Sequence, residues 1–507
     1  MKRNILPYFQ LMSAAMLLLS SCVNHPDVPS SSKETKSRPA IFPDYCNVTV
    51  PYNIAPLNFM LPADEYEECV ARFTTPDGQQ QTYGHGVKVQ ITESEWHDML
   101  NVSKGKSIKV EVFGLLSRKE EGGTRKDEDE WLSFTPFEIH VAKEPIDEYV
   151  SYRLIEPSYV AWTFMEISQR NLTSFEETQI FNNEITSNDR AIGQCINCHS
   201  YQNYKTDNML FHVRLSNGGT VIVNDGKASK VDLRRDYTIS GGAYPAWHPT
   251  AKLVAFAACK TRQAFHTANH NKIEVFDLAS DIILYDVKTD SVSIVSNDST
   301  LLEVYPTWSA DGKYLYYCKT VPLPDDLRDK DIRFTYQKLQ YNLYRRPFDE
   351  SSHSFGDEEL VYDAASQDKS ATLPRISPDG RYLLFSQGQY GCFHIRHSDA
   401  DAVCLPLNEQ NPSPLNLTNL NSEGFADSYP TWSSNGHWIM LSSRRGDGNY
   451  SRIYFAYFNN GKVEKAFMLP QEDPEQNTFR LMCYNRPEFM VEPVKISVEE
   501  FGRVIDK

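Results

Sequence analysis

The chain has 507 residues, enough for two or three domains. Its formal net charge of −16 excludes the basic footprint that nucleic acid requires, so no nucleic-acid partner is expected. Aromatic residues make up 12% of the chain, with 28 Tyr and 26 Phe, which favours a mainly β protein.

The N-terminus opens with Lys2 and Arg3, followed by an apolar run through Leu17-Leu18-Leu19 that is too short to span a bilayer. It reads as a signal peptide over residues 1–21. Leu19-Ser20-Ser21-Cys22 resembles the bacterial lipobox, which implies a lipid on Cys22 as the membrane attachment. Residues 22–43 are rich in Ser, Pro and Lys and form a flexible tether. The mature protein is then expected on a bacterial envelope membrane, held by its lipid alone and facing the periplasm from the outer membrane.

Residues 44–148 alternate in strand fashion at Asn47–Val50, Leu57–Leu61, Cys69–Phe73, Val87–Ile91, Ile108–Leu115 and Phe137–Val141, with turns such as Pro76-Asp77-Gly78 between them. Short strands at this density predict an immunoglobulin-like β-sandwich, a spacer or docking module with no catalytic constellation. Residues 149–210 change texture. Val160, Phe164 and Ile167 recur at helical spacing within Pro157–Arg170, so a helical connector is expected, packed over one face of a cofactor or serving only as a link.

That connector carries Cys195-Ile196-Asn197-Cys198-His199, the C-x-x-C-H signature of covalent haem attachment. Two thiols three residues apart share one helical turn and reach the two vinyl groups of a haem. The next histidine then meets the iron as proximal ligand. Export makes this reading chemically available, because bacteria attach haem covalently outside the cytoplasm. One haem c is therefore the expected cofactor, with Cys195 and Cys198 as thioether links and His199 as axial ligand. Met209 is the first candidate for the sixth ligand and His212 the alternative. A zinc site on Cys195, Cys198 and His199 is the rival, made awkward by the adjacent histidine. His248, His266 and His270 form a looser group, read as ordinary loop histidines, with lining a central opening or taking a metal as the alternatives. Of the other cysteines, Cys46 with Cys69 and Cys392 with Cys404 are candidate disulfides, while Cys259 and Cys318 read as buried thiols.

Residues 211–507 contain a repeat: Tyr244-Pro245-Ala246-Trp247-His248, Tyr305-Pro306-Thr307-Trp308-Ser309, Leu373-Pro374-Arg375-Ile376-Ser377 and Tyr429-Pro430-Thr431-Trp432-Ser433. The last three run into Asp311-Gly312, Asp379-Gly380 and Asn435-Gly436, each followed by an apolar strand. Strand, tight turn and strand at intervals of 61, 68 and 56 residues describe successive propeller blades. The repeats resemble the TolB-type β-propeller, over roughly residues 210–490. His212–Leu215, Thr220–Asn224 and Lys230–Arg234 read as an earlier, degenerate blade, and Arg480–Cys483 or Phe489–Val494 as the closing segment. Five blades are counted, with six as the alternative. The whole chain is similar to exported TolB-like lipoproteins of Gram-negative envelopes.

The functional expectation is an envelope protein with one covalent haem, passing electrons or sensing redox state, with the propeller as docking platform for a protein partner. The alternative is a non-enzymatic scaffold whose propeller binds a protein or glycan, with haem structural or absent. No G-x-S-x-G nucleophile elbow accompanies the propeller, so hydrolase activity is not favoured.

Overall fold

The computed structural model describes residues 25–117, 130–157, 164–186, 193–265, 273–296, 298–323, 335–409 and 412–507. Cys22, the signal segment and His266 and His270 lie outside the described residues. Strands dominate, in a propeller-like ring with a smaller unit packed against it.

The ring is built around six first strands: Gln194–Gln202, Ala243–Trp247, Leu302–Trp308, Ser370–Ile376, Asp427–Trp432 and Cys483–Met490. Each touches the next, and the sixth touches the first. The antiparallel partners follow outward in sequence, except in the sixth sheet. There Cys483–Met490 pairs with Tyr149–Ile155, which continues to Met165–Asn171 and Glu177–Asn182. The two ends of the ring-forming chain therefore share one sheet. The second and third sheets are joined by a single parallel pairing, Ser280 with Leu302.

One local device recurs in every first strand. Cys198, Tyr244, Tyr305, Leu373, Tyr429 and Arg486 all have positive φ, between 51° and 58°. Each opens a two-residue bulge facing one residue of the partner strand. In five of the six the next residue is proline: Pro245, Pro306, Pro374, Pro430 and Pro487. Proline fits because a bulged residue makes no ladder hydrogen bond. In the first sheet that position is His199.

The turns follow from the same repeat. Ser309 Oγ donates to Asp311 Oδ1 at 2.7 Å and accepts from the Tyr314 amide at 2.9 Å, while Gly312 supplies the left-handed corner with φ 73°. Ser377 with Asp379 and Ser433 with Asn435 repeat the arrangement at 2.6 and 2.7 Å. In the copy lacking serine, His248 Nδ1 accepts from the Ala251 amide at 2.9 Å and so replaces the hydroxyl.

Two expectations are corrected. The helix expected within Pro157–Arg170 is, where described, the strand Met165–Asn171. The helical haem-attachment segment is the strand Gln194–Gln202, paired with Lys205–Leu215. Both strands are interior, and burial on both faces removes the alternation that would mark them as strands.

The N-terminal unit holds a seven-stranded sheet whose central members are Ser107–Leu116 and Tyr66–Thr74. A two-stranded sheet, Phe59–Met60 with Lys88–Val89, and the helix Glu93–Val102 accompany it. The helix was not foreseen, although Thr92-x-x-Glu95 is a capping box: Thr92 Oγ1 accepts from the Glu95 amide at 3.3 Å. The unit shares one hydrophobic core with the fifth and sixth ring sheets, where Trp96, Tyr152, Trp438 and Phe489 are all buried. Lys88 pairs with Asp473 and Glu475 at 2.9 and 2.7 Å, and Trp438 donates to the Pro145 carbonyl at 2.9 Å. The C-terminal helix Val498–Asp506 closes the seam between the sixth and first sheets, burying Phe501 against Phe181 and Phe211.

Candidate functional site

The six bulged residues form a waist around the ring axis. Tyr244 and Tyr305 meet with ring centroids 4.3 Å apart, and the Arg486 guanidinium lies 5.9 Å from the Tyr244 ring centre. On one side of this waist is a small recess of about 170 Å³, lined by the residues that follow the bulges, Ser200, Ala246, Thr307, Arg375, Thr431 and Glu488 among them. Arg375 and Glu488 form an ion pair across it.

On the other side is a much larger cavity of about 980 Å³, within the range of small-molecule sites. Its walls come mainly from the sixth, first and second sheets, with Phe393, Ile395 and Arg396 from a loop of the fourth and Tyr429 from the fifth. The long hairpin Leu253–Phe265 and Ile273–Asp286 extends beside it, contributing Arg262, Gln263 and Val275. That hairpin is tied across the ring by Phe276, which stacks on Tyr336 with centroids 5.5 Å apart. A buried contact of 2.6 Å between Glu274 Oε2 and His397 Nε2 adds a second tie.

The C-x-x-C-H residues divide between cavity and blade body. Cys195 and Cys198 line the cavity, as do His212 and Cys259. His199 lines neither cavity nor recess. It is fully buried beside the Ser151 backbone and Tyr201, without a well-formed hydrogen bond at either ring nitrogen. Burial, reinforced by the Arg486 and Arg153 guanidiniums, lowers its pKa to about 3. Met209 is buried away from the cavity, in the cluster with Ile196, Phe211 and Phe501. His212 Nδ1 meets Thr220 Oγ1 at 2.8 Å, leaving its buried Nε2 without a partner. Its pKa is driven well below the usual histidine value, first by burial and then by Arg214 and Arg486.

The fit to a covalent haem is therefore divided. The two thiols face one chamber as thioether links would require, but His199 as placed does not reach it; His212 is the histidine that does. Among the described residues, no three His, Cys, Asp or Glu side chains gather as a metal site, which leaves the zinc reading without a ligand set. His248 is a structural residue, its Nε2 3.2 Å from the Gly312 carbonyl oxygen. The nine described cysteines are free, so neither Cys46–Cys69 nor Cys392–Cys404 is a disulfide. Cys318 is buried as expected, while Cys259 opens onto the cavity.

The arginines were missed. Arg153, Arg214, Arg234, Arg262, Arg396 and Arg486 all line the cavity, against two carboxylates among the described residues, Glu156 and Asp232. They come from separate strands and loops, so no local motif announces them. Arg234 is occupied by Asp232 at 2.7 Å, and Arg396 donates to the Pro157 carbonyl at 2.8 Å.

No protein-family model and no curated protein matches the chain. Among solved structures, a TolB-like protein from Agrobacterium tumefaciens is 12% identical with a TM-score of 0.37, covering 68% of this chain and 99% of its own. A GH74 enzyme from Niastella koreensis is 9% identical with a TM-score of 0.37, covering 63% of this chain and 46% of its own. An oligogalacturonate lyase in complex with manganese is 12% identical with a TM-score of 0.34, covering 64% and 73%. These likenesses concern the fold and supply no argument about chemistry.

Proposed function

We propose that the protein is a non-enzymatic binding protein of the cell envelope, whose six-bladed propeller receives a small ligand in the cavity of about 980 Å³. The observation that carries this is the cavity itself: it is walled mainly by three sheets, flanked by a cross-tied hairpin and lined by charged side chains. The N-terminal unit, read as an immunoglobulin-like module, acts as a rigid extension of the propeller because the two share one core. Cys22 supplies the lipid anchor, and the mature protein faces the periplasm.

Native mass spectrometry of the protein extracted from its own envelope tests this reading. The wild type is expected to carry a small-molecule mass released on denaturation. Ser240→Trp, which sets an indole in the cavity lining, is expected to lack it. Equal adducts on both, or none on either, contradict the proposal.

A second reading keeps the covalent haem, favoured by one observation: Cys195 and Cys198 face the same cavity. Bound through these thiols, a haem would supply a one-electron redox centre, with His212 placed to meet it. A pyridine haemochrome spectrum of the exported protein, with Cys198→Ala as control, decides between the readings. A haem c spectrum lost in the variant establishes the second.

A further inference from the structure

Four cavity arginines have no ion-pair partner among the described residues. Arg153 and Arg486 are 8% and 7% exposed, and each keeps a guanidinium nitrogen buried without a partner. Arg214 and Arg262 reach the same chamber from different strands, with much of their surface open to it. None of the four forms an ion pair or hydrogen bond among the described residues. Leaving a buried charge unpaired is costly, and a fold that buries two such guanidiniums beside two more open ones in one chamber implies an anion that completes them.

The contrast with the rest of the chain strengthens the point. The protein carries a net charge of −16, yet among the described residues this chamber has six arginines facing two carboxylates, one already engaged by Arg234. Low-dielectric walls focus such a field on whatever enters. Planar guanidiniums are the side chains suited to the oxygens of carboxylate and phosphate groups, which they grip with paired hydrogen bonds.

We propose that the cavity binds a small polyanion, bearing carboxylate or phosphate groups, through Arg153, Arg214, Arg262 and Arg486. This rests on the cavity being the ligand site. The oxyanions have two available sources, a free organic or inorganic acid and the propionates of a haem.

Calorimetric titration of the full-length exported protein with citrate, pyrophosphate and haemin, at low and high salt, tests the proposal. At least one of these probes is expected to bind, more weakly as salt rises. Arg214→Gln and Arg262→Gln are each expected to weaken that binding about tenfold or more, the scale of a lost charge-assisted hydrogen bond. Arg72→Gln, in the N-terminal unit outside the cavity lining and paired with Glu111 at 2.9 Å, is expected to change it little. Arg214 and Arg262 present their surface to the chamber, so an unchanged melting midpoint without ligand verifies folding; Arg262→Lys is the milder alternative.

Arginine-sensitive binding of citrate or pyrophosphate identifies a free acid. Arginine-sensitive binding of haemin alone identifies propionates. Binding that ignores both glutamine variants overturns the proposal, as does failure of all three probes. If all three fail while mass spectrometry finds a neutral occupant, the cavity remains the ligand site and only its anion selectivity is wrong.

Discussion

His199→Pro separates the blade role of the C-x-x-C-H histidine from a ligand role. In the five other bulges the equivalent residue is proline, each following a left-handed residue with φ near that of Cys198. The exchange therefore fits the backbone, removes a buried imidazole and sacrifices no ladder hydrogen bond. Burial pushes the pKa of His199 down to about 3 in the folded state, from an ordinary histidine value of 6.5. A depressed value means that the unfolded chain takes up the proton first. Stability is thus full above about pH 6.5 and is lost as pH falls toward 3. At pH 5 the loss from this one group is about 2 kcal/mol relative to pH 8. Urea unfolding of wild type and variant at both pH values measures it. The variant should fold at pH 8 and retain about 2 kcal/mol more than wild type between pH 8 and pH 5. A variant that fails to fold, or one with the wild-type pH dependence, refutes the reasoning.

Three further outcomes follow from buried groups. Asp277 has its pKa raised to about 7 by burial, so the stability it contributes is present below about pH 4 and is lost as pH rises through 7. Asp277→Asn should remove that decline, worth about 4 kcal/mol, in a pH series of unfolding curves. Arg480 forks onto both carboxylate oxygens of Glu177, which also accepts from Tyr152 Oη at 2.5 Å, tying the sixth sheet to the chain that closes it. Glu177→Gln should cost about 3 kcal/mol by chemical denaturation and raise hydrogen exchange first in Tyr149–Ile155 and Glu177–Asn182. Phe501→Ala should cost about 3–5 kcal/mol, because its ring is fully buried against Phe181 and Phe211. Its exchange signature should appear at the seam of the sixth and first sheets.

The propeller was legible where its repeat kept both the proline and the serine turn, at Tyr305–Gly312, Leu373–Gly380 and Tyr429–Gly436. It was illegible where the repeat lost its marks. Cys198-His199-Ser200-Tyr201 occupies the same bulge as Tyr305-Pro306-Thr307-Trp308, but the change of residues presents a haem motif instead of a blade. Arg486-Pro487-Glu488-Phe489 keeps the proline and lacks the serine turn. Its partner strand Tyr149–Ile155 lies more than 300 residues earlier, and no local pattern reports a pairing at that separation. Val160, Phe164 and Ile167 suggested a helix because Met165–Asn171 is buried on both faces and lacks a period of two. Cys195 and Cys198 stood out in the sequence by their C-x-x-C-H spacing, and the fold sets both in the cavity lining. The arginines did not stand out, because the ring assembles them from four strands that carry no common motif.

Charge-selective labelling of the cavity thiols tests the central claim most directly. Cys195, Cys198 and Cys259 share the chamber with the unpaired arginines, and each is a free thiol in this fold. The folded protein is treated with an anionic sulfonate or a cationic trimethylammonium methanethiosulfonate, and labelled peptides are identified by mass. The anionic reagent is expected to label these cysteines several-fold faster, after normalisation to its rate with a free thiol, and added salt should erase the advantage. Equal or cation-favoured labelling would contradict a positive ligand chamber, and a haem mass on the Cys195–Cys198 peptide would replace the free-ligand reading with the covalent one.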